Sequence, residues 1–204
     1  TSSLVGSEMC IRDSVTPYVS ASAKVRYQTD DYDRTSVYGV SEAFFKEDTK
    51  GTMQGETLAE GRFLSYIDVD RHQNVCVIGD YLNRVAFGGN GLGQTLKIGA
   101  NKFRIVGVLE GRSKPAAQYE GGNDDVVLVP YTTLLSLSSG SSVSQYYVVL
   151  QDADHSDEAQ EFLQSRLKKL VSKDDYVFVM SLSAAMSQMS SMINIMVGVL
   201  TAIA

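Results

Sequence analysis

An α+β fold is predicted by three features of this 204-residue sequence. Eleven tyrosines and several valine-rich runs favour strands, because branched and ring-bearing side chains pack well on a pleated surface. Through 15–130, short apolar runs alternate with turns rich in Gly and Asn. Near the end, an amphipathic helical stretch stands between two further apolar runs and reads as a βαβ unit. A chain of this length buries a sizeable core without disulfides or metal, so Cys10 and Cys76 need not carry the fold.

Residues 1–14 have no sustained period and read as a non-native or flexible leader. Partial alternation over 18–27 predicts an extended strand, with the acidic stretch 28–34 as its solvated turn. A second strand over 35–40 leads to Ser41, whose hydroxyl can accept an orphan amide at the start of a short helix holding Glu42, Phe44 and Phe45. Residues 58–63 offer another short element, and 74–79 is the best buried strand of the first half. Residues 80–87 suit a helix with Leu82, Val85 and Ala86 inward, stopped by the glycine-rich run 88–93. Strands at 95–98 and 103–109 form a hairpin across Gly99-Ala100-Asn101, where Gly and Asn tolerate a positive backbone dihedral. The nearly continuous apolar strand 125–130 ends at Pro130 and gives way to a short helix containing Leu134, Leu135 and Leu137.

The serine-rich run 136–144 is a junction. Beyond it come a strand at 146–150, a helix capped by Asp154 or Ser156 and reaching Leu170, and a returning strand at 176–180. Phe162, Leu163, Leu167 and Leu170 share one helical face, while acidic residues sit early and basic ones late, as the helix dipole favours. That face is expected to cover a sheet, and the unit to pair with the strand and helix near 37–46.

The residues argue against catalysis. A net charge of −6 repels nucleic acid over most surfaces. Glycines 88, 89, 91 and 93 lack the Gly-Lys-Ser/Thr of a phosphate loop and follow a helix instead of joining a first strand to its helix. Asp68, Asp70 and His72 lack a further ligand at a zinc spacing, and Asp30, Asp31 and Asp33 lack the pattern of a calcium loop. No Gly-x-Ser-x-Gly turn occurs, and Cys76 lies among Val75, Val77 and Ile78, where burial suppresses the thiolate. No cofactor, metal or catalytic residue is therefore assigned.

The stretch 192–204 is free of charge and strongly apolar. Residues 189–204 are expected to begin a transmembrane helix, with Met192, Ile193, Ile195, Met196, Val197, Val199 and Leu200 in its membrane segment.

With that segment in place, an ordered series of short motifs resembles the MacB-like periplasmic core domain of ABC transporter permeases. The series runs through Val15-Thr16-Pro17, Val37-Tyr38-Gly39-Val40-Ser41, Glu60-Gly61-Arg62-Phe63-Leu64 and Asp68-Val69. It continues through Val75-Cys76-Val77-Ile78-Gly79, Phe87-Gly88-Gly89, Leu92-Gly93-Gln94-Thr95, Phe103-Arg104-Ile105-Val106-Gly107 and Asp124-Asp125-Val126-Val127. The resemblance implies a two-subdomain extracytoplasmic module. A porter-like α/β part falls at 15–68 and 142–188, and an inserted, mainly β Sabre-like part at 69–141.

The resemblance also implies a cell-membrane protein that couples ATP hydrolysis by a cytoplasmic ABC ATPase to export of an antibiotic, peptide, toxin or lipoprotein. Its partners would be that ATPase domain or subunit, a second permease subunit, the membrane and, in some members, a membrane-fusion adaptor. Gly61, Arg62, Phe63 and Gly93 are expected to be structural or junction positions, and loops at 65–72 and 136–144 to absorb rotation. The competing reading is a membrane-anchored extracytoplasmic binding or sensing module without transport.

Overall fold

Strand-forming runs and glycine turns resolve into the order β1 (Val15–Ala21), β2 (Val25–Tyr27), β3 (Asp30–Tyr32), β4 (Ser36–Val40), a 3-10 turn (Glu42–Phe44), β5 (Phe45–Lys46), β6 (Gly51–Thr52) and β7 (Leu58–Gly61). Then come α1 (Tyr66–Asp70), β8 (Val75–Ile78), α2 (Asp80–Phe87), β9 (Thr95–Ile98), β10 (Asn101–Leu109), β11 (Val126–Pro130), α3 (Tyr131–Leu137), β12 (Gln145–Val148) and α4 (Ser156–Leu170). The computed structural model describes residues 15–46, 51–53, 55–112, 119–137, 142–143, 145–148, 156–170, 178–180, 189 and 192. The α+β class read from the sequence holds. The described residues up to Val148 belong to one compact unit, and those from Ser156 onward to another.

One ten-stranded mixed sheet organises the first unit, in the order β12-β1-β4-β11-β8-β10-β9-β2-β3, with β7 paired to β10. It draws strands from both the 15–68 and the 69–141 stretches. Five strands separate β1 from β2 in this order, yet only Ser22, Ala23 and Lys24 join them in the chain. Four Cα steps reach at most about 15 Å. Six strand spacings in a flat sheet would need about 29 Å. The sheet must therefore curl until its ends approach, and Lys24 fixes the join by accepting a 2.8 Å hydrogen bond from the Gly99 amide.

The curl makes two cores. Cys76, Ile78, Val127 and Val129 point to one face with Val25, Leu96, Phe103 and Ile105. Val77, Val126 and Leu128 point to the other with Tyr18, Val40, Phe44 and Phe63. Burial on both faces explains why β8 and β11 read as continuous apolar runs instead of alternating. Cys76 is a fully buried free thiol, and burial pushes its pKa far above the ordinary range.

Local expectations fared differently. The strand expected over 18–27 breaks at Ser22, and Asp30–Tyr32 forms an edge strand where a solvated turn was read. Lys24 and Arg26 neutralise Asp31 there, so the acidic run is tolerated, and charge on an edge also discourages further pairing. In α2, Leu82 is buried and Ala86 packs on the core, but Val85 is 52% exposed, contrary to its inward assignment. β12 pairs antiparallel with β1, Val15 opposite Val148, and not with the elements near 37–46. The hairpin of β9 and β10 stands as expected, with Asn101 opposite Ile98.

In the second unit, Ala159 of α4 is buried and Phe162, Leu163 and Leu167 are half-buried. The Arg166 guanidinium lies 5.4 Å from the Phe162 ring centre, and Gln160 Nε2 donates to the Val179 carbonyl at 3.0 Å. Residues 178–180 are in neither helix nor strand, so the described part of the expected returning strand is irregular.

The β2–β3 turn carries an avoidable cost. Gln28 sits at φ 53°, a left-handed conformation that crowds a side chain's Cβ against the following carbonyl. Gln28→Gly is expected to raise the urea midpoint, with a gain of about 0.5–1 kcal/mol after the greater freedom of glycine in the unfolded chain is allowed for.

Candidate functional site: the Gly61 to Asp68 junction

β7 ends against β10 with Gly61 opposite Gly107. Gly61 has φ 78°, and a side chain there would run into the Val106 carbonyl and the Leu92 side chain. On the facing strand, a side chain at Gly107 would run into the Arg62 carbonyl. Two glycines thus let the backbones approach closely enough for the Arg62 amide to donate to the Val106 carbonyl at 2.9 Å.

Arg62 then turns its side chain onto the next helix. Its Nη1 donates to Asp68 Oδ2 at 2.6 Å and to the Phe63 carbonyl at 2.9 Å, and its Nη2 to Asp68 Oδ1 at 3.2 Å. This two-point fork is the geometry for which a guanidinium suits a carboxylate. Asp68 also closes a capping box on α1: the Ser65 amide and hydroxyl both donate to Asp68 Oδ2, and Ser65 Oγ accepts the Asp68 amide. Phe63 is buried and stacks on Phe45 with ring centres 4.9 Å apart. From α3, Thr132 Oγ1 donates to the Val69 carbonyl and Thr133 Oγ1 to that of Gln73. The 65–72 stretch, expected from the sequence as a loop that absorbs rotation, holds a capped helix tied to Arg62 and to α3.

Gly61, Arg62 and Phe63 thus meet where β7 leads into α1. Gly93 does not: it sits at φ 80° in the turn before β9, where its amide donates to the Ile105 carbonyl at 2.9 Å and nothing occupies the space a side chain would take. Sequence reading missed the partners Ser65 and Asp68, although Ser65-Tyr66-Ile67-Asp68 has the capping-box spacing and could have been found. It also missed Arg112, which pairs with the buried Glu56 at 2.9 Å while its amide donates to Asp124 Oδ1 at 2.9 Å. Thr52 donates to the second oxygen of Glu56. Of the expected membrane segment, Met192 is helical and exposed; Ile193, Ile195, Met196, Val197, Val199 and Leu200 lie outside the described residues, as does the 1–14 leader. Among the described residues no helix is long and apolar enough to cross a membrane.

Two buried carboxylates respond oppositely to acid. For Asp68, burial favours the neutral form, but the hydrogen bonds from Arg62 and Ser65 outweigh it and hold the pKa below its ordinary 3.8. Asp125 is fully buried, and burial raises its pKa despite donation from the Gly121 amide at 2.8 Å and the Thr35 hydroxyl at 2.7 Å. The depressed group stabilises the fold above pH 3.8, and that contribution is lost as pH falls through its folded value. The raised group binds its proton more tightly when folded, so it costs stability increasingly as pH rises from 3.8 through its folded value. Urea titrations between about pH 3 and 7 should show Asp68→Asn reducing the acid-side fall in stability and Asp125→Asn steepening it.

The comparisons agree with this architecture. The model of the MacB-like periplasmic core domain family matches residues 8–166. The macrolide export ATP-binding/permease protein MacB of Aggregatibacter actinomycetemcomitans is 29% identical over 170 residues, covering 82% of this chain and 25% of that protein. The protein of the same name from Vibrio parahaemolyticus is 33% identical over 139 residues, covering 67% of this chain and 19% of its own length. This chain therefore spans at most about a quarter of these curated relatives. Among solved structures, the periplasmic region of MacB from Actinobacillus actinomycetemcomitans superposes with a TM-score of 0.69 at 24% identity, covering 92% of this chain and 82% of that one. The extracellular domain of the noncanonic ABC-type transporter YknZ from Gram-positive bacteria gives 0.58 at 18% identity, with 82% and 83% covered. With residues 8–166, most of its length, matched by the family model, this chain belongs to the MacB-like periplasmic core domain family.

Proposed function

We propose that this chain is the extracytoplasmic part of an ABC transporter permease whose full-length form couples cytoplasmic ATP hydrolysis to export. The observation that carries the reading is the family match over 8–166, in relatives named as macrolide export ATP-binding/permease proteins. The segment itself supplies no catalytic chemistry: its buried polar residues are spent on structure, Asp68 in a helix cap and Glu56 in an ion pair. Gly61, Arg62 and Phe63 serve as a rigid joint and Gly93 as a turn, so that 15–148 is moved as a packed body by segments outside it. A cytoplasmic ATPase domain or subunit, a second permease subunit and, in a two-membrane envelope, a membrane-fusion adaptor complete the assembly. The 192–204 segment begins the membrane helix that transmits the motion. Macrolides, peptides, toxins and lipoproteins are the candidate cargos.

The test is accumulation of a labelled macrolide in cells lacking the full-length polypeptide. More label than in the parent, reversed by the intact gene and not by one deprived of ATPase activity, is the expected result. A full-length protein that fractionates with membranes but has no ATPase partner would move the assignment to an anchored binding module. A soluble full-length protein would defeat the permease reading.

A further inference from the structure

β1 and β4 part company after the Ala21↔Val37 pair, although β4 stays paired to β11 back to Ser36. The parting leaves an opening of 380 Å³, lined by residues 20–24 on one side and 33–38 on the other. This size is that of a small-ligand site, but the lining is hydrophilic where most such sites are apolar, so its occupant must be hydrophilic too.

The groups around the opening divide into used and unused. Lys24 is held by Asp31 at 2.7 Å and Asp33 at 3.3 Å, and the Thr35 hydroxyl is given to Asp125. Arg34 lines the opening and uses its backbone amide on Glu120 Oε1 at 3.2 Å, but its guanidinium has no carboxylate partner among the described residues. Its stem lies over Gly121, where an added side chain would press on Arg34 Cβ at 3.2 Å. The hydroxyls of Ser20, Ser22 and Ser36 and the main-chain groups of Ser22 and Ala23 likewise take no partner among the described residues. One cation without a carboxylate partner among the described residues thus lines the opening together with hydrogen-bonding groups that take no partner there, on the two margins of a gap between strands.

We propose that this opening binds the free C-terminal end of a short extended peptide. The Arg34 guanidinium takes the carboxylate, and the serine hydroxyls with the main chain at 22–23 take the peptide groups. The site would be the same whether or not the chain takes part in export.

The test is titration of the 204-residue chain with trialanine, followed by the amide resonances of Ser22, Ala23 and Ser36. Saturable shifts are expected with the free acid, weakened about tenfold or more by C-terminal amidation and by Arg34→Gln, because each removes a charge-assisted hydrogen bond. Arg34→Lys should retain part of the binding, and Arg71→Gln, a change at an exposed arginine elsewhere, should leave it intact. Unshifted resonances outside the opening verify that the variants fold. No saturable shift up to about 10 mM peptide would overturn the proposal. Equal binding of acid and amide would do the same, as would acetate alone acting as strongly as the peptide.

Discussion

Replacing Gly61 with alanine should destabilise the protein by about 3 kcal/mol or more, while the same change at Gly93 should cost only about 1–2 kcal/mol. Both glycines adopt a positive φ, 78° and 80°, so both substitutions bear the left-handed penalty. They differ in what a methyl group meets. At Gly93 it enters open space; at Gly61 it strikes the Val106 carbonyl, the acceptor of the Arg62 amide. Relief would require β7 to lift from β10, breaking that hydrogen bond and disturbing the fork of Arg62 on Asp68. Denaturant midpoints of the two variants measured side by side decide the matter. Equal losses would mean that dihedral strain alone operates and that the close approach of the strands contributes nothing.

Arg112→Ala should cost about 2–3 kcal/mol, more than its partly exposed side chain suggests. Its partner Glu56 retains only 6% of its side-chain exposure, so the variant leaves a carboxylate buried beside Thr52 with its cation gone. Removing one member of a buried pair is costly because the survivor must remain desolvated without compensation. The control is Arg112→Met combined with Glu56→Gln, which should recover most of the loss by removing both charges. If the single and double variants unfold at the same urea concentration, the penalty is one of packing and not of charge.

Much of the sheet was legible because its strands announce themselves locally. The valine runs of β8 and β11 need no tertiary knowledge to read as buried, and Gly99-Ala100-Asn101 marks its hairpin by turn chemistry alone. What the sequence hid was pairing at a distance. Nothing local says that β12 lies beside β1, or that three residues carry the chain from β1 to β2 with five strands between them in the sheet. The exposed Val85 shows a related limit: helical spacing identifies an apolar stripe but not how wide a stripe the neighbouring sheet can cover. Between β7 and α1, it is resemblance that points to Gly61, Arg62 and Phe63. Asp68 stands beside Asp70 and His72 like a metal ligand, yet its local pattern with Ser65 already describes a helix cap. The Arg112 and Glu56 pair, separated by a long stretch of chain, had no signal at all.

The pairing of Val15 with Val148 has a mechanical consequence. In antiparallel neighbours the entering and leaving backbones emerge at the same end of the ladder, a few ångströms apart. Tension drawing those two points apart would load the ladder as a zipper, one rung at a time, beginning with Val15 and Val148 and then Thr16 and Tyr147. Such a seam yields at far lower force than one loaded in shear, where all rungs must fail together. A body attached this way can be turned or pushed by what holds it, but it is poorly built to be pulled open from its roots.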